Sequence, residues 1–399
     1  MPRQVEECEL SGPLPAIRPS SGPDGARYRA ARVLVRLHSQ PLGVVDVALP
    51  EGGLEPEALG AAIDAAGIGG GDASEDRGGD TATPFVSVVI PTRDRPELLS
   101  RTLDSVLACD YPPDRFEVIV ADNVPTGTGT RDLVEELARS DPRVLYLLAP
   151  RAGSGSARND GAARARSELV AFVDDDAIAD RRWIAELVAG FDAAPGVVCV
   201  TGLVLAAELD TWAQQLFEEY GGFGKGFENA LFDLGAHRPR QAMFPFNPGT
   251  LGSGNNVAFR RSALLELGGY DPFLGNGTPS RSGEDWELFL RLLRRGLTAA
   301  YRPGAIVHHT HRRELRELER QLHDYGVGLG AALTRTVAHD PRAVLEIARR
   351  LPYAAYFALS SRSPKNRGQS AGYPRELRRA ELAGLARGPA AYLRSRRAG

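Results

Sequence analysis

Cysteine is nearly absent from this chain of 399 residues: Cys8, Cys109 and Cys199 are the whole complement, and none is paired at a metal-ligand spacing. So sparse and odd a set argues against a disulfide scaffold or a zinc ribbon, and it suits a reducing cytoplasm. Long hydrophobic runs are missing as well. The longest, VVCVTGLVLAA from Val197, falls short of the roughly 20 residues that span a bilayer, so no transmembrane helix is expected. The N-terminus, MPRQVEECELSGPLP, lacks a basic start followed by an apolar core, and a secretory leader is not expected. Neither sign of charge is in excess. A net charge of −3 gives no reason to expect nucleic acid as a partner.

What is present supports a folded enzyme-sized body. With 43% hydrophobic and 25% charged residues there is material for a sizeable core. The length suggests one main domain of about 250 residues with smaller additions. Residues 1–66 read as a small α+β module: RYRAARVLVRLHSQPLGVVDVAL, 27–49, predicts two strands joined by a turn at Gln40, Pro41, Leu42 and Gly43, and PEALGAAIDAA predicts a helix. Residues 67–84, GIGGGDASEDRGGDTATP, cannot bury a core and predict a flexible linker. The catalytic body is expected over 85–325 and a helical, basic extension over 326–399. Residues 361–399 carry ten Lys or Arg against Glu376 and Glu381. Such a tail is either a solvated terminus or a peripheral contact with the anionic inner face of a membrane.

From residue 85 onward, strands and helices alternate. FVSVVIP is followed by RPELLSRTLDSVLAC, FEVIVAD by TRDLVEELARS, RVLYLLA by SARNDGAARARS, and ELVAFVDDD by RRWIAELVAGF. Four such units predict a Rossmann-like, mostly parallel central sheet flanked by helices, with ligands beyond the carboxyl ends of its strands. Asp122 and the run Asp174, Asp175, Asp176 stand at two of those ends. Three adjacent aspartates repel one another and resist desolvation, so they require either open water or a cation. Hard cations such as Mg²⁺ or Mn²⁺ take oxygen ligands and are shared with substrate phosphates.

Six segments in order, VSVVIPTRDR, VIVADN, GSARNDGAARARSELVAFVDDDA, GSGNNVAFRRSALLELGGYDPFL, SGEDWELFLRLLRRG and AIVHHTHRR, resemble a family 2 glycosyltransferase of the GT-A fold across about residues 84–325. That resemblance implies an inverting, metal-dependent transfer of a sugar from a UDP-, dTDP- or GDP-sugar to an acceptor hydroxyl. It implies that Pro91, Thr92, Asp122, Arg158, Asp174 and Asp175 bind the donor. It further implies that Asp174, Asp176 and His309 hold Mn²⁺ or Mg²⁺, with His311 the second choice of histidine. Asp285 corresponds to the general base, and Glu284, Asn255, Asn256 and Trp212 are candidates for the acceptor side, where Phe217, Tyr220 and Phe223 could also stack on a sugar. The acceptor class stays open among a glycan, a lipid-linked molecule and a small molecule. Two rival readings are a noncatalytic nucleotide-sugar or glycan-binding relative and a sugar nucleotidyltransferase. The first is disfavoured because Asp174, Asp176, Asp285 and His309 are all present. The second is disfavoured because IPTRDRPE stands where a glycine-rich phosphate loop would be.

Overall fold

The computed structural model describes residues 2–23, 25–69, 83–370 and 372–398. Of the segment expected as a linker, residues 70–82 lie outside the described residues. In chain order the elements are β1 (Gln4–Glu9), β2 (Ala30–Leu37), β3 (Gln40–Ala48), α1 (Pro56–Ala65), β4 (Val86–Thr92), α2 (Pro96–Leu107), β5 (Phe116–Asn123), α3 (Gly129–Ser140), β6 (Val144–Ala149), α4 (Ser154–Arg164), β7 (Leu169–Val173), β8 (Ala177–Ala179), α5 (Trp183–Gly190), β9 (Val197–Ala206), α6 (Trp212–Tyr220), β10 (Ala230–Phe232), β11 (Asn256–Arg260), α7 (Arg261–Glu266), α8 (Glu284–Arg294), β12 (Thr298–His309), α9 (Leu315–His339), α10 (Ala343–Leu359) and α11 (Arg375–Ala398).

The large sheet has the order β10-β12-β9-β11-β7-β4-β5-β6, with β8 paired to β12. Its β7-β4-β5-β6 half is parallel throughout, and β11 enters antiparallel between β7 and β9. Strands β4 and β5 are buried at every position, which is why VSVVIPT and FEVIVADN read as unbroken apolar runs: helices cover both faces of a parallel sheet. Helix α2 starts with Pro96 in its first turn and buries Leu99, Thr102, Leu103 and Val106. From β4 the chain moves outward through β5 and β6, then returns to lay β7 on the other side of β4. That reversal leaves a crevice beyond the carboxyl ends of β4 and β7, where α/β sheets bind ligands.

The N-terminal module is a three-stranded sheet with α1, cored by Val33, Val35, Val45, Val47, Leu59 and Ile63. Its hairpin turn corrects the sequence expectation. The turn lies at His38 and Ser39, both at positive φ (50° and 66°), as a tight two-residue hairpin demands, and Pro41 and Gly43 belong to β3. Strand β1, parallel to β2, was not foreseen. The module packs on the large body through Leu34 and through Arg36 to Asp180 (2.7 Å), Gln40 to Glu186 (2.7 Å) and Arg32 to Glu218 (2.9 Å).

At the other end, α9 runs through the boundary expected at 325, and α11 lies along it. The basic tail is therefore folded for most of its length. Among the described residues no helix is long and apolar enough to cross a membrane.

Candidate functional site

Strand β7 ends at Val173, and the three aspartates form the turn into β8. Pairing of β8 with β12 sets His309, the last residue of β12, opposite Ala177 and so beside Asp176. Ligand atoms of Asp174, Asp176 and His309 all lie within 4.8 Å of one another. His309 Nε2 is 3.1 Å from Asp176 Oδ1, yet that buried oxygen receives no aligned hydrogen bond. A carboxylate oxygen left without a donor beside an imidazole nitrogen fits a cation held between them, and two carboxylates with one imidazole suit Mg²⁺ or Mn²⁺.

The surrounding charges separate the three carboxyls. Burial opposes ionisation of Asp176, but His309 and Arg95 outweigh it and hold its pKa at about 2. Burial and the neighbouring Asp176 push Asp175 up to about 6, against the hydrogen bond it accepts from Thr92 Oγ1 at 2.6 Å. Asp174 is raised by burial although Arg158 lies 2.6 Å away. For His309, burial favours the neutral ring, but the charge of Asp176 prevails and its pKa stands above the usual imidazole value. A divalent cation would replace that proton.

Behind His309 stands His311. Its Nδ1 is 3.3 Å from His309 Nδ1, and its Nε2 is 3.0 Å from Glu218 Oε1. His311 is therefore turned away from the aspartates and belongs to a chain of partners supporting His309.

Arg158, on α4, is buried between Asp174 and Glu284 Oε1 (3.3 Å), and Glu284 also accepts from Ser154 Oγ at 2.6 Å. Burial and the adjacent Asp285 raise the pKa of Glu284. Asp285 sits in the first turn of α8, whose N-cap Gly283 has φ 94°, and Glu284, Asp285 and Glu287 place negative charge at the positive helix end. Asp285 Oδ2 accepts from Gly254 N–H at 2.9 Å and Oδ1 from Trp286 N–H at 2.7 Å. A Cβ on Gly254 would fall 2.8 Å from the Cβ of Asp285, so a glycine is what lets this loop reach the carboxylate.

These groups share one cleft of about 670 Å³. Of the residues singled out in the sequence, Pro91, Thr92, Arg158, Asp174, Asp175, Asp176, Asn255, Glu284, Asp285, His309 and Phe223 line it. Besides His311, five others are placed elsewhere. Asp122 is fully buried behind the wall, where Oδ2 accepts from Tyr146 at 3.0 Å and Oδ1 has no partner, while Asn123 faces the cleft. Asn256 is spent on the core, accepting from Trp183 Nε1 at 2.9 Å and donating to the carbonyls of Leu203 and Ala305. Trp212 is 53% exposed at the start of α6, outside the cleft, Phe217 is core, and Tyr220 packs against that same core. Sequence reasoning missed Arg95, Arg281, Arg312 and Arg320, which also line the cleft. The signal for two of them was available: Arg95 follows the first strand in IPTRDRPE, and Arg312 follows the histidine cluster.

The model for the family described as glycosyltransferase-like family 2 matches residues 83–323, more than half of the chain. An N-acetylglucosaminyltransferase of Bradyrhizobium diazoefficiens is 30% identical over 235 residues, 57% of this chain and 45% of that protein. A glucosyl-dolichyl phosphate glucuronosyltransferase of Haloferax volcanii is 29% identical over 196 residues, 48% of this chain and 57% of that protein. The chain thus spans about half the length of these curated relatives. Among solved structures, the mannosyltransferase PcManGT from Pyrobaculum calidifontis, in complex with GDP-Man and Mn²⁺, aligns with a TM-score of 0.47 and 19% identity, over 80% of this chain and 74% of that one.

Proposed function

Because the chain belongs to glycosyltransferase-like family 2, we propose that its cleft catalyses a single, inverting displacement that moves a sugar from a UDP-, dTDP- or GDP-sugar to an acceptor hydroxyl. The observation that carries this reading is the joint presence, in one cleft, of the Asp174–Asp176–His309 cluster and of a separate carboxylate, Asp285, fixed by two backbone N–H groups. Mn²⁺ or Mg²⁺ held by those three ligands would supply positive charge to the diphosphate. Arg158, Arg95 and Arg312 add further positive charge along the same wall, where the leaving group gathers negative charge.

Asp285 takes the proton of the acceptor hydroxyl as its oxygen forms the bond to the anomeric carbon. The bond from that carbon to the diphosphate oxygen breaks, and its electron pair leaves with the nucleoside diphosphate. Because attack and departure occur on opposite faces, the configuration inverts. Pro91 and Thr92, at the end of β4 in the cleft wall, are assigned to the nucleotide, and Asn255 and Glu284, which line the cleft with Asp285, to the acceptor. The acceptor is a glycan, a lipid-linked molecule or a small molecule. The name of the Haloferax relative supports the lipid-linked class. A reducing compartment, the cytoplasm, suits three buried free thiols.

Thermal shift with UDP, dTDP, GDP, CDP and ADP, each with Mn²⁺, Mg²⁺ or chelator, tests the donor site. A ligand at 100 times its Kd adds about 2.7 kcal/mol to stability. One nucleotide should stabilise the wild type with metal and fail with chelator or in Asp176→Ala. Asp285→Asn should keep that shift while transfer falls by about 10² to 10⁴. Equal transfer by Asp285→Asn would remove the base assignment.

A further inference from the structure

Helix α10 is attached along one side and at its C-terminal end, where Ser363 and Asn366 donate to the carbonyl of Phe357 and Tyr356 donates to that of Arg362. Ala343 and Ile347 pack with Phe246 and Leu290, Glu346 pairs with Arg294 at 3.1 Å, and Arg350 donates to the carbonyl of Phe244 at 3.3 Å. The opposite side is apolar and open. Val344, Leu345, Leu351, Tyr356 and Leu359 are 47%, 63%, 57%, 42% and 59% exposed, and Ala348, Pro352 and Ala355 between them are exposed too. At 100° per residue these eight positions fall in one sector of about 140°, with no charged residue inside it. At 1.5 Å per residue the stripe is about 25 Å long. Single exposed leucines are ordinary, whereas a continuous stripe of this kind marks a surface that meets something apolar.

Charge identifies the partner. Over residues 342–367 the chain carries Arg342, Arg349, Arg350, Arg362, Lys365 and Arg367 against Glu346 alone. Arg342 and Arg349 border the stripe next to Tyr356. Arg342, Arg349, Arg362 and Arg367 are exposed and form no salt bridge among the described residues. Two copies facing each other through antiparallel α10 helices would bring this basic edge of each together, which disfavours that pairing. An apolar stripe bordered along one edge by exposed arginines complements an anionic lipid surface, with leucines at the acyl boundary and arginines among the headgroups.

We propose that α10 is an interfacial helix by which this protein lies on an anionic phospholipid surface. This goes beyond the transfer reaction and stands independently of it. It also moves the membrane contact that was one of two readings of residues 361–399: α11, which holds much of that basic charge, packs on α9, and the open apolar surface is on α10.

Co-sedimentation with vesicles of phosphatidylcholine, alone or mixed with phosphatidylglycerol, tests the proposal. The probes are the wild type, the triple variant Leu345→Glu/Leu351→Glu/Leu359→Glu, and Arg342→Glu/Arg349→Glu, with light scattering in parallel. The wild type should bind the mixed vesicles at least ~10-fold more tightly than the neutral ones, and both variants should lose at least ~10-fold. Both variants should keep the wild-type melting temperature and nucleotide response, since their side chains face outward. Absence of wild-type binding, or undiminished binding by the triple variant, overturns the proposal. So does a wild-type dimer that the triple variant dissolves while neither protein binds vesicles, because α10 would then be a self-association face. Binding indifferent to phosphatidylglycerol, or to the arginine reversals, overturns the anionic surface as partner.

Discussion

Asp122 is a carboxylate that the fold buries without providing for its charge. One oxygen accepts from Tyr146, the other has no partner, and burial raises its pKa above the usual carboxylate value. A raised carboxylate pKa means that the folded state holds the proton more tightly than the unfolded chain does. The wild type is therefore penalised at pH values above its folded pKa, and the penalty fades as pH falls toward the unfolded value near 3.9. A buried acceptor without a partner costs about 1–3 kcal/mol. Asp122→Asn should thus melt higher than the wild type at pH 8, with the difference closing as the buffer approaches pH 4. If Asp122 serves the nucleotide base, the same variant should lose the nucleotide-induced shift. A lower melting temperature for Asp122→Asn at pH 8 would show that its ionised form is stabilised by something else, and a gain independent of pH would show that folding does not raise its pKa.

At the scale of elements, the most demanding contact is that between α9 and α11. Gly326 and Gly330 on one helix face Gly384 and Gly388 on the other; a Cβ on Gly384 would overlap the carbonyl of His323, and one on Gly326 the carbonyl of Glu381. Each helix thus fits against the backbone of its neighbour. Further along α11, Tyr392 donates to Asp271 at 3.3 Å and Ser395 bonds Ser280 at 3.0 Å, so the helix pair also braces the loop leading to Asp285. In an unpacked helix, Gly384→Ala would gain about 1 kcal/mol from propensity. Here overpacking, at about 1–3 kcal/mol, should reverse the sign. Urea denaturation of Gly384→Ala decides it, and a higher midpoint would mean that the two helices separate without loss.

None of that pairing was legible in the sequence, because small residues four apart do not name the helix they meet. The strands of the parallel half were legible, since strands covered on both faces have unbroken apolar composition and helices follow them at regular spacing. The hairpin turn was misplaced because Pro41 and Gly43 carry stronger turn signals than His38 and Ser39, whose positive φ comes from hairpin twist. Asp174, Asp176 and Asp285 stood out as carboxylates at element ends. His311 did not resolve from His309: alternation puts both on one face of a strand, but β12 stops at His309 and alternation fails beyond it. Asn256 misled for a related reason, since its amide chemistry suits sugar and core carbonyls equally.

Across the whole molecule, the N-terminal module reaches the Asp174–Asp176–His309 cluster through four side chains. Arg32 on β2 pairs with Glu218 on α6 at 2.9 Å, Glu218 meets His311 at 3.0 Å, and His311 meets His309 at 3.3 Å. Burial opposes ionisation of Glu218, but His311 and Arg32 hold its pKa low. An ionised Glu218 accepts from His311 Nε2–H, so His311 Nδ1 is left to accept from His309 Nδ1–H. With His309 Nδ1–H so engaged, the proton on Nε2 is the one a cation would displace to take the lone pair facing Asp176. Outer partners of this kind are typically worth 10–100-fold in metal affinity. Mn²⁺ titration without nucleotide should show a loss of about that size in His311→Leu, a smaller one in Glu218→Gln, which keeps an acceptor but not the charge, and the smallest in Arg32→Met. Unchanged affinity in His311→Leu would detach His309 from the chain. Losses that simply track a falling melting temperature would reduce the contact to packing. The graded order at constant melting temperature would mean that the module sets the protonation of a metal ligand it never touches.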